Sequence, residues 1–348
     1  MRNLAEIKCG CKEQMSSVKV NEFMLNLAKE LKEKKGVADS TANAYIRAMF
    51  LLNGKQPFKN LTFLKKTDDV AELVKDYADN TIKLIYSSIV SVLSLFKEKP
   101  AYKKVYEFYY EKMMGKAKEM KDAGAESSDK TEKQKENWIS WEEVKEKGDA
   151  LGSAVAGFSK KRSLTEQEFE TLLHYTILAL YTETQPRRNQ DYLDMMVVKA
   201  MPKNTDHNYL VITKGKPSKF IFNIYKTAKK YGQQTLDIPP TLAEILKLYL
   251  KFHPQKKETP HNFLVSYDGS PIVAQNAITR VLNKVFGKKV GSSMLRHIFL
   301  STKYDIKEME KDATAMGHSV EEQKKYMKGS GEEVGQSVNV PTIEGNTA

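Results

Sequence analysis

The sequence predicts a two-domain, mostly α-helical protein with a small antiparallel β-sheet in its second domain. Three observations carry this expectation. Apolar residues recur at helical spacing through residues 1–115. A nearly all-polar, charged stretch at 116–136 separates that part from the rest. Runs of β-forming residues cluster in one place, between residues 209 and 238. A chain of 348 residues also favours two domains over one.

Within 17–34, Val20, Phe23, Met24, Leu27 and Leu31 define one apolar helix face, and Gly36 stops the helix. Asp39 and Ser40 are available to cap the next helix, through Tyr45, Ile46, Met49, Phe50 and Leu51. Pro57 and Asn60 mark a loop, and helices follow at 70–77 and 81–96. The last of these is interrupted by Lys83, Tyr86, Ser87 and Ser88, which suits a core helix and not a membrane span. Residues 1–115 therefore read as a helical bundle, and 116–136 as a linker or a solvated helix that becomes one.

The second domain is expected over 137–328. Ser140-x-x-Glu143 and Ser163-x-x-Glu166 are capping-box patterns, each opening a helix. The second helix, with Leu164, Phe169, Leu172, Leu173, Tyr175, Ile177, Leu178 and Leu180, is broad enough in its apolar face to sit in the core. Pro186 suits a helix start that turns Tyr192, Leu193, Met195 and Met196 inward. Arg187 and Arg188 then stand where free backbone N–H groups favour anions. Strands are expected at 209–213, 220–225 and 235–238, ended by Pro239 and Pro240. Helices resume at 242–252, 274–285 and 292–304. Residues 329–348 read as a flexible tail, available to dock on a neighbouring protomer.

A net charge of +12 points to a polyanionic partner. The two cysteines, Cys9 and Cys11, provide no disulfide framework and lack a second ligand pair for zinc. No stretch reads as a signal peptide or a span, so a soluble intracellular protein is expected. His174 reads as a core residue, and His207, His253 and His261 as loop residues. Asp191 and Asp194 have no third carboxylate at a spacing that would complete a metal site.

The chemistry concentrates after residue 292. Arg296-His297, Gly317-His318 and Tyr326 follow one another there. Arginine clamps phosphate oxygens with a planar fork, histidine moves protons near neutral pH, and tyrosine offers an oxygen nucleophile. This stretch resembles the C-terminal motif of the tyrosine recombinases, the phage-integrase superfamily: His-x-x-Arg-His, then Gly-His, then a nucleophilic Tyr. Ser293 stands where that family has its first His. Arg188-x-x-Asp191 matches the family's first arginine motif, with Arg187 as its rival by one position. That wording, with Ser293, is similar to integrases of virophages, giant viruses and related mobile elements. The family's catalytic lysine lies in a β-hairpin ahead of an Ile/Val-Pro. Lys226-Thr227-Ala228-Lys229 before Ile238-Pro239 matches, with Lys229 and Lys214 as rivals.

The resemblance implies an N-terminal helical core-binding domain and an α/β catalytic domain closing on double-stranded DNA. It implies site-specific strand cleavage and rejoining through a covalent 3′-phosphotyrosine, with Tyr326 as nucleophile. Arg188, Arg296 and His318 would stabilise the charge on the phosphate, and Lys226 would act as general acid. Asp191, Ser293, His297 and Arg187 would support them, the imidazole packing beneath the arginines. A serine hydroxyl donates a hydrogen bond but cannot serve as a base near neutral pH. No cofactor, metal or ATP is implied; a tetramer on DNA is, without a membrane, in the nucleus or cytoplasm of a host cell or carried by a virus. A type IB topoisomerase-like enzyme and a catalytically silent, sequence-specific DNA-binding protein are the alternatives.

Overall fold

Two parts of the chain fold around separate apolar cores. The computed structural model describes residues 20–122, 130–304 and Met309. Helices make up most of it, and the chain divides into two compact units after residue 127. Among the described residues no helix is long and apolar enough to cross a membrane.

The first unit contains α1 (Glu22–Lys35), α2 (Asp39–Leu52), α3 (Thr67–Val74), α4 (Asp79–Leu93) and α5 (Pro100–Asp122). At the start of α1, Asn21 Oδ1 accepts from the Met24 N–H at 3.0 Å, and its Nδ2 donates to Phe58 O at 3.0 Å. Gly36 ends α1 with φ +63°, a conformation that glycine adopts without a Cβ penalty. At α2 the expected caps are not used. Ala38 is the N-cap, and Asp39 lies inside the first turn, its carboxylate 2.8 Å from Lys32 Nζ on α1. Much of the charged stretch expected as a linker is helical: α5 runs on to Asp122, with Lys116 held by Asp79 at 2.6 Å. Met24, Ile46, Leu64, Ile89 and Tyr109 lie in this core, and the Tyr109 hydroxyl donates to Leu64 O at 2.9 Å.

The second unit opens with α6 (Glu132–Asn137), α7 (Trp141–Val155) and α8 (Glu166–Thr182). Ser140 and Glu143 form the expected capping box of α7. The box of α8 sits two residues later than expected: Thr165 Oγ1 accepts from Glu168 N–H, and the Glu168 carboxylate accepts from Thr165 N–H at 3.0 Å. This later start places Leu164 before the cap and Phe169 in the second turn, both buried, in the arrangement of a hydrophobic staple. Helix α8 is the central element, buried at Leu172, Ile177, Leu178 and Leu180.

A five-stranded sheet shares the core in which it lies. It comprises β1 (Met196–Val198), β2 (Tyr209–Thr213), β3 (Lys216–Phe222), β4 (Gln234–Asp237) and β5 (His261–Asn262), in the order β4-β3-β2-β1-β5. The expected antiparallel sheet is instead mixed, because β1 pairs in parallel with β2. The unforeseen strand arises where a helix was expected. Arg188 is extended (φ −76°, ψ 149°), only a single 3-10 turn forms at Asn189–Asp191, and Asp194 is left-handed at φ +59°. The Met-Val-Val that follows enters the sheet, while Tyr192, Leu193 and Met195 are buried in the turn before it.

Short helix α9 (Ala228–Tyr231) lies in the β3–β4 connection, and α10 (Pro240–Phe252), α11 (Ala277–Phe286) and α12 (Ser292–Lys303) complete the unit. His253 and His261, expected in loops, are buried, with ring centroids 4.4 Å apart. His253 Nδ1 accepts from Gln255 N–H at 3.1 Å, so Nε2 carries the proton towards Phe263 O at 3.2 Å. Burial, then the charge of His261, lowers His253 to about 4.

Candidate functional site

The site is built on a buried carboxylate. Asp191 is 3 % exposed. Its Oδ2 accepts from Arg187 Nε at 2.9 Å, and its Oδ1 has no hydrogen-bond partner among the described residues. Burial pushes this carboxyl up, against the pull of Arg187, Arg188 and Arg296. Arg187 is engaged on every side. It donates to Gln234 Oε1 at 2.9 Å, and its guanidinium lies 3.8 Å from the Phe222 ring centroid and 5.3 Å from that of Tyr225. The partner of Asp191 is thus Arg187, not the Arg188 that the motif spacing suggests.

Arg188, one position on, is exposed. Its side chain makes no hydrogen bond or ion pair among the described residues. It stands close enough to Arg296, on α12, for its charge to act on that residue. Burial, then Arg188, lowers Arg296, while Tyr181 and Asp191 oppose them. Two arginines from distant parts of the chain therefore act on each other and on Asp191 through their charges. Such an arrangement repels itself and favours an anion, since arginine presents its donors as a planar fork.

Polar side chains that sequence reasoning missed hold the two arginines in place. The Tyr181 hydroxyl on α8 donates to Asn189 Oδ1 at 2.9 Å, and Asn189 Nδ2 donates to Thr279 Oγ1 on α11 at 2.9 Å. The buried Ser292 at the start of α12 lies close to the Tyr181 hydroxyl. The backbone of Gly291 lies so near Thr279 that a Cβ would sit 3.1 Å from its methyl. Asn208 does the same for the other flank. Its Nδ2 donates to Asp191 O at 2.8 Å and Ile224 O at 2.9 Å, and its Oδ1 accepts from Asn223 and Ile224 N–H, each at 2.8 Å. One buried amide thus ties the turn carrying Arg188 to the connection carrying Lys226. The only sequence signal was an asparagine immediately ahead of a strand.

Lys226 is exposed in that connection, next to Tyr225, whose hydroxyl donates to Gly232 O at 2.7 Å. Lys229 is exposed on α9. Lys214 occupies the two-residue turn between β2 and β3, with φ +50° beside Gly215 at +79°. That turn is at the far end of β3 from Phe222, roughly 20 Å along the strand at about 3.3 Å per residue. Of the three lysines, Lys226 is beside the Arg187 stack and Lys214 is remote. On α12, Ser293 and His297 are exposed, so His297 does not pack beneath the arginines as expected. Leu295 and Ile298 take the buried face of that helix. His318 and Tyr326 lie outside the described residues.

Among the described residues, no group of three or more His, Cys, Asp or Glu side chains is placed to hold a metal ion. Comparison of the chain with protein-family models, curated proteins and solved structures finds no match.

Proposed function

We propose that the second unit cleaves and rejoins DNA strands by transesterification, as a site-specific recombinase with Tyr326 as nucleophile. The observation that carries this reading is that Arg188 and Arg296, neither with an ion-pair partner among the described residues, act electrostatically on one another and on the buried Asp191. The net charge of +12 suits a polyanionic substrate.

In this reading the Tyr326 hydroxyl gives its proton to water as its oxygen attacks phosphorus and forms a 3′-phosphotyrosyl ester. The bond to the 5′-oxygen breaks, and Lys226 supplies the proton that the leaving 5′-hydroxyl needs. Arg188 and Arg296 neutralise the nonbridging oxygens, with His318 as a further donor; removing one such donor commonly costs on the order of 10²–10³ in rate. Asp191 acts through Arg187 and the electrostatics of the arginine pair. The first unit serves as the core-binding domain on double-stranded DNA, and four protomers assemble for exchange. Rejoining reverses the same steps, so neither ATP nor a metal enters them.

The test is a trapping experiment with nicked DNA from the flanks of the element that encodes the protein. An SDS-stable protein–DNA band that disappears in Tyr326→Phe is the expected result. A band that persists moves the nucleophile elsewhere. Tight DNA binding with no band in either protein points to a catalytically silent binder. Relaxation of supercoiled plasmid by the monomer reassigns the chemistry to a type IB topoisomerase.

A further inference from the structure

A second pocket, unrelated to the arginine pair, opens at the other end of the sheet. It has a volume of about 300 Å3 and is bordered by Gly215 and Pro217 at the β2–β3 turn, whereas Arg187 rests on Phe222 at the opposite end of β3. Its rim carries Lys199, Lys247, Lys251 and Lys256. Only Lys247 has a carboxylate nearby, Glu244 at 3.4 Å; the other three pair with none among the described residues. Two of them bond backbone oxygens: Lys251 Nζ donates to Ser159 O at 2.6 Å and to Lys161 O at 3.1 Å, neither residue bordering the pocket, and Lys256 Nζ donates to Lys251 O at 2.8 Å. Four lysines bordering one pocket give it an excess of positive charge, which a multiply charged anion balances.

The floor is different in kind. Val197, Ile212 and Leu250 line it with hydrocarbon. His261 closes one wall, and burial holds its pKa below the ordinary value, so near neutral pH it adds shape and not charge. A charged rim over an apolar floor suits a ligand with two halves. We propose that this pocket binds a phosphorylated organic anion of nucleotide size, phosphates on the lysine rim and the planar organic part on the floor. The same chemistry is presented by a free nucleotide and by one unit of a single strand.

Calorimetric titration of the full chain separates these sources, using ATP, inorganic tripolyphosphate and a short single-stranded oligonucleotide. The paired variant is Lys199→Gln with Lys256→Gln, both exposed and checked for an unchanged melting temperature. Hydrogen bonds to charged groups predict a loss of about tenfold or more in affinity. A loss for ATP, with tripolyphosphate binding more weakly than ATP, supports a free nucleotide. A loss for the oligonucleotide with no ATP binding supports a unit of a strand. Equal affinity for tripolyphosphate and ATP overturns the role of the floor. Unchanged affinities in the variant overturn the site. The strand-transfer reading stands or falls separately, on the Tyr326 adduct.

Discussion

At the residue scale, the two adjacent arginines divide one task between them. Arg187 neutralises Asp191 inside the unit, so its loss strands a carboxylate that is almost wholly buried. Breaking a buried pair from one side costs about 3–5 kcal/mol; because Arg187 itself keeps partial exposure, Arg187→Ala is expected to cost about 2–4 kcal/mol. Arg188→Ala is expected to stay within about 0.5 kcal/mol of the parent in stability while slowing adduct formation by on the order of 10²–10³. Urea denaturation alongside the trapping assay checks both. His253 gives a second expectation. Its folded value, about 4, lies below that of an unfolded histidine, so the unfolded chain takes up the proton first. The stability this residue contributes is complete above about pH 6.5 and is lost as pH falls towards 4, by about 2–3 kcal/mol in all. Melting temperatures across that range should fall for the parent, and less steeply for His253→Gln.

At the scale of the element, the start of α8 decides how the central helix enters the core. Thr165 and Glu168 exchange the capping bonds, while Ser163 makes none with Glu166. Thr165→Ala is expected to lower stability by about 1 kcal/mol, and Ser163→Ala to leave it nearly unchanged, both read from urea midpoints. Either serine or threonine satisfied the sequence pattern. What separated them was the burial of Leu164, which must precede the cap to reach the core. The segment after α8 shows the same limit. Its apolar residues were legible as inward-facing, yet a left-handed Asp194 and the Met-Val-Val run turned a predicted helix into a turn and a strand.

At the scale of the whole molecule, a small cluster of Tyr209, Val211 and Ile221 lies on one face of the sheet, and among the described residues two large apolar clusters hold the chain, one within each unit. Each cluster is built from helices of its own unit, and the second adds the inner face of the sheet. Residues 1–127 and 128–348, expressed separately, are therefore expected to unfold cooperatively on their own. Circular dichroism of the two fragments checks this; a fragment without a cooperative transition would show that its core depends on the other. The two proposed sites both belong to the second unit, at opposite ends of one sheet, which allows variants in one to be read independently of the other.

The sequence by itself determined the helical character of the chain, the place of the three antiparallel strands β2 to β4, the apolar face of α8 and the residue types available for phosphate chemistry. These follow from local periodicity and capping, which need no knowledge of partners. Only the tertiary structure decided that Arg187 and not Arg188 holds Asp191, that the sheet is mixed, that His253 and His261 are buried together, and that Asn208 ties the turn of Arg188 to the connection of Lys226. Each of those depends on which distant group meets a side chain. Neighbouring arginines are alike in composition, and a histidine beside a proline reads as a loop residue until a second histidine and a backbone carbonyl are folded against it.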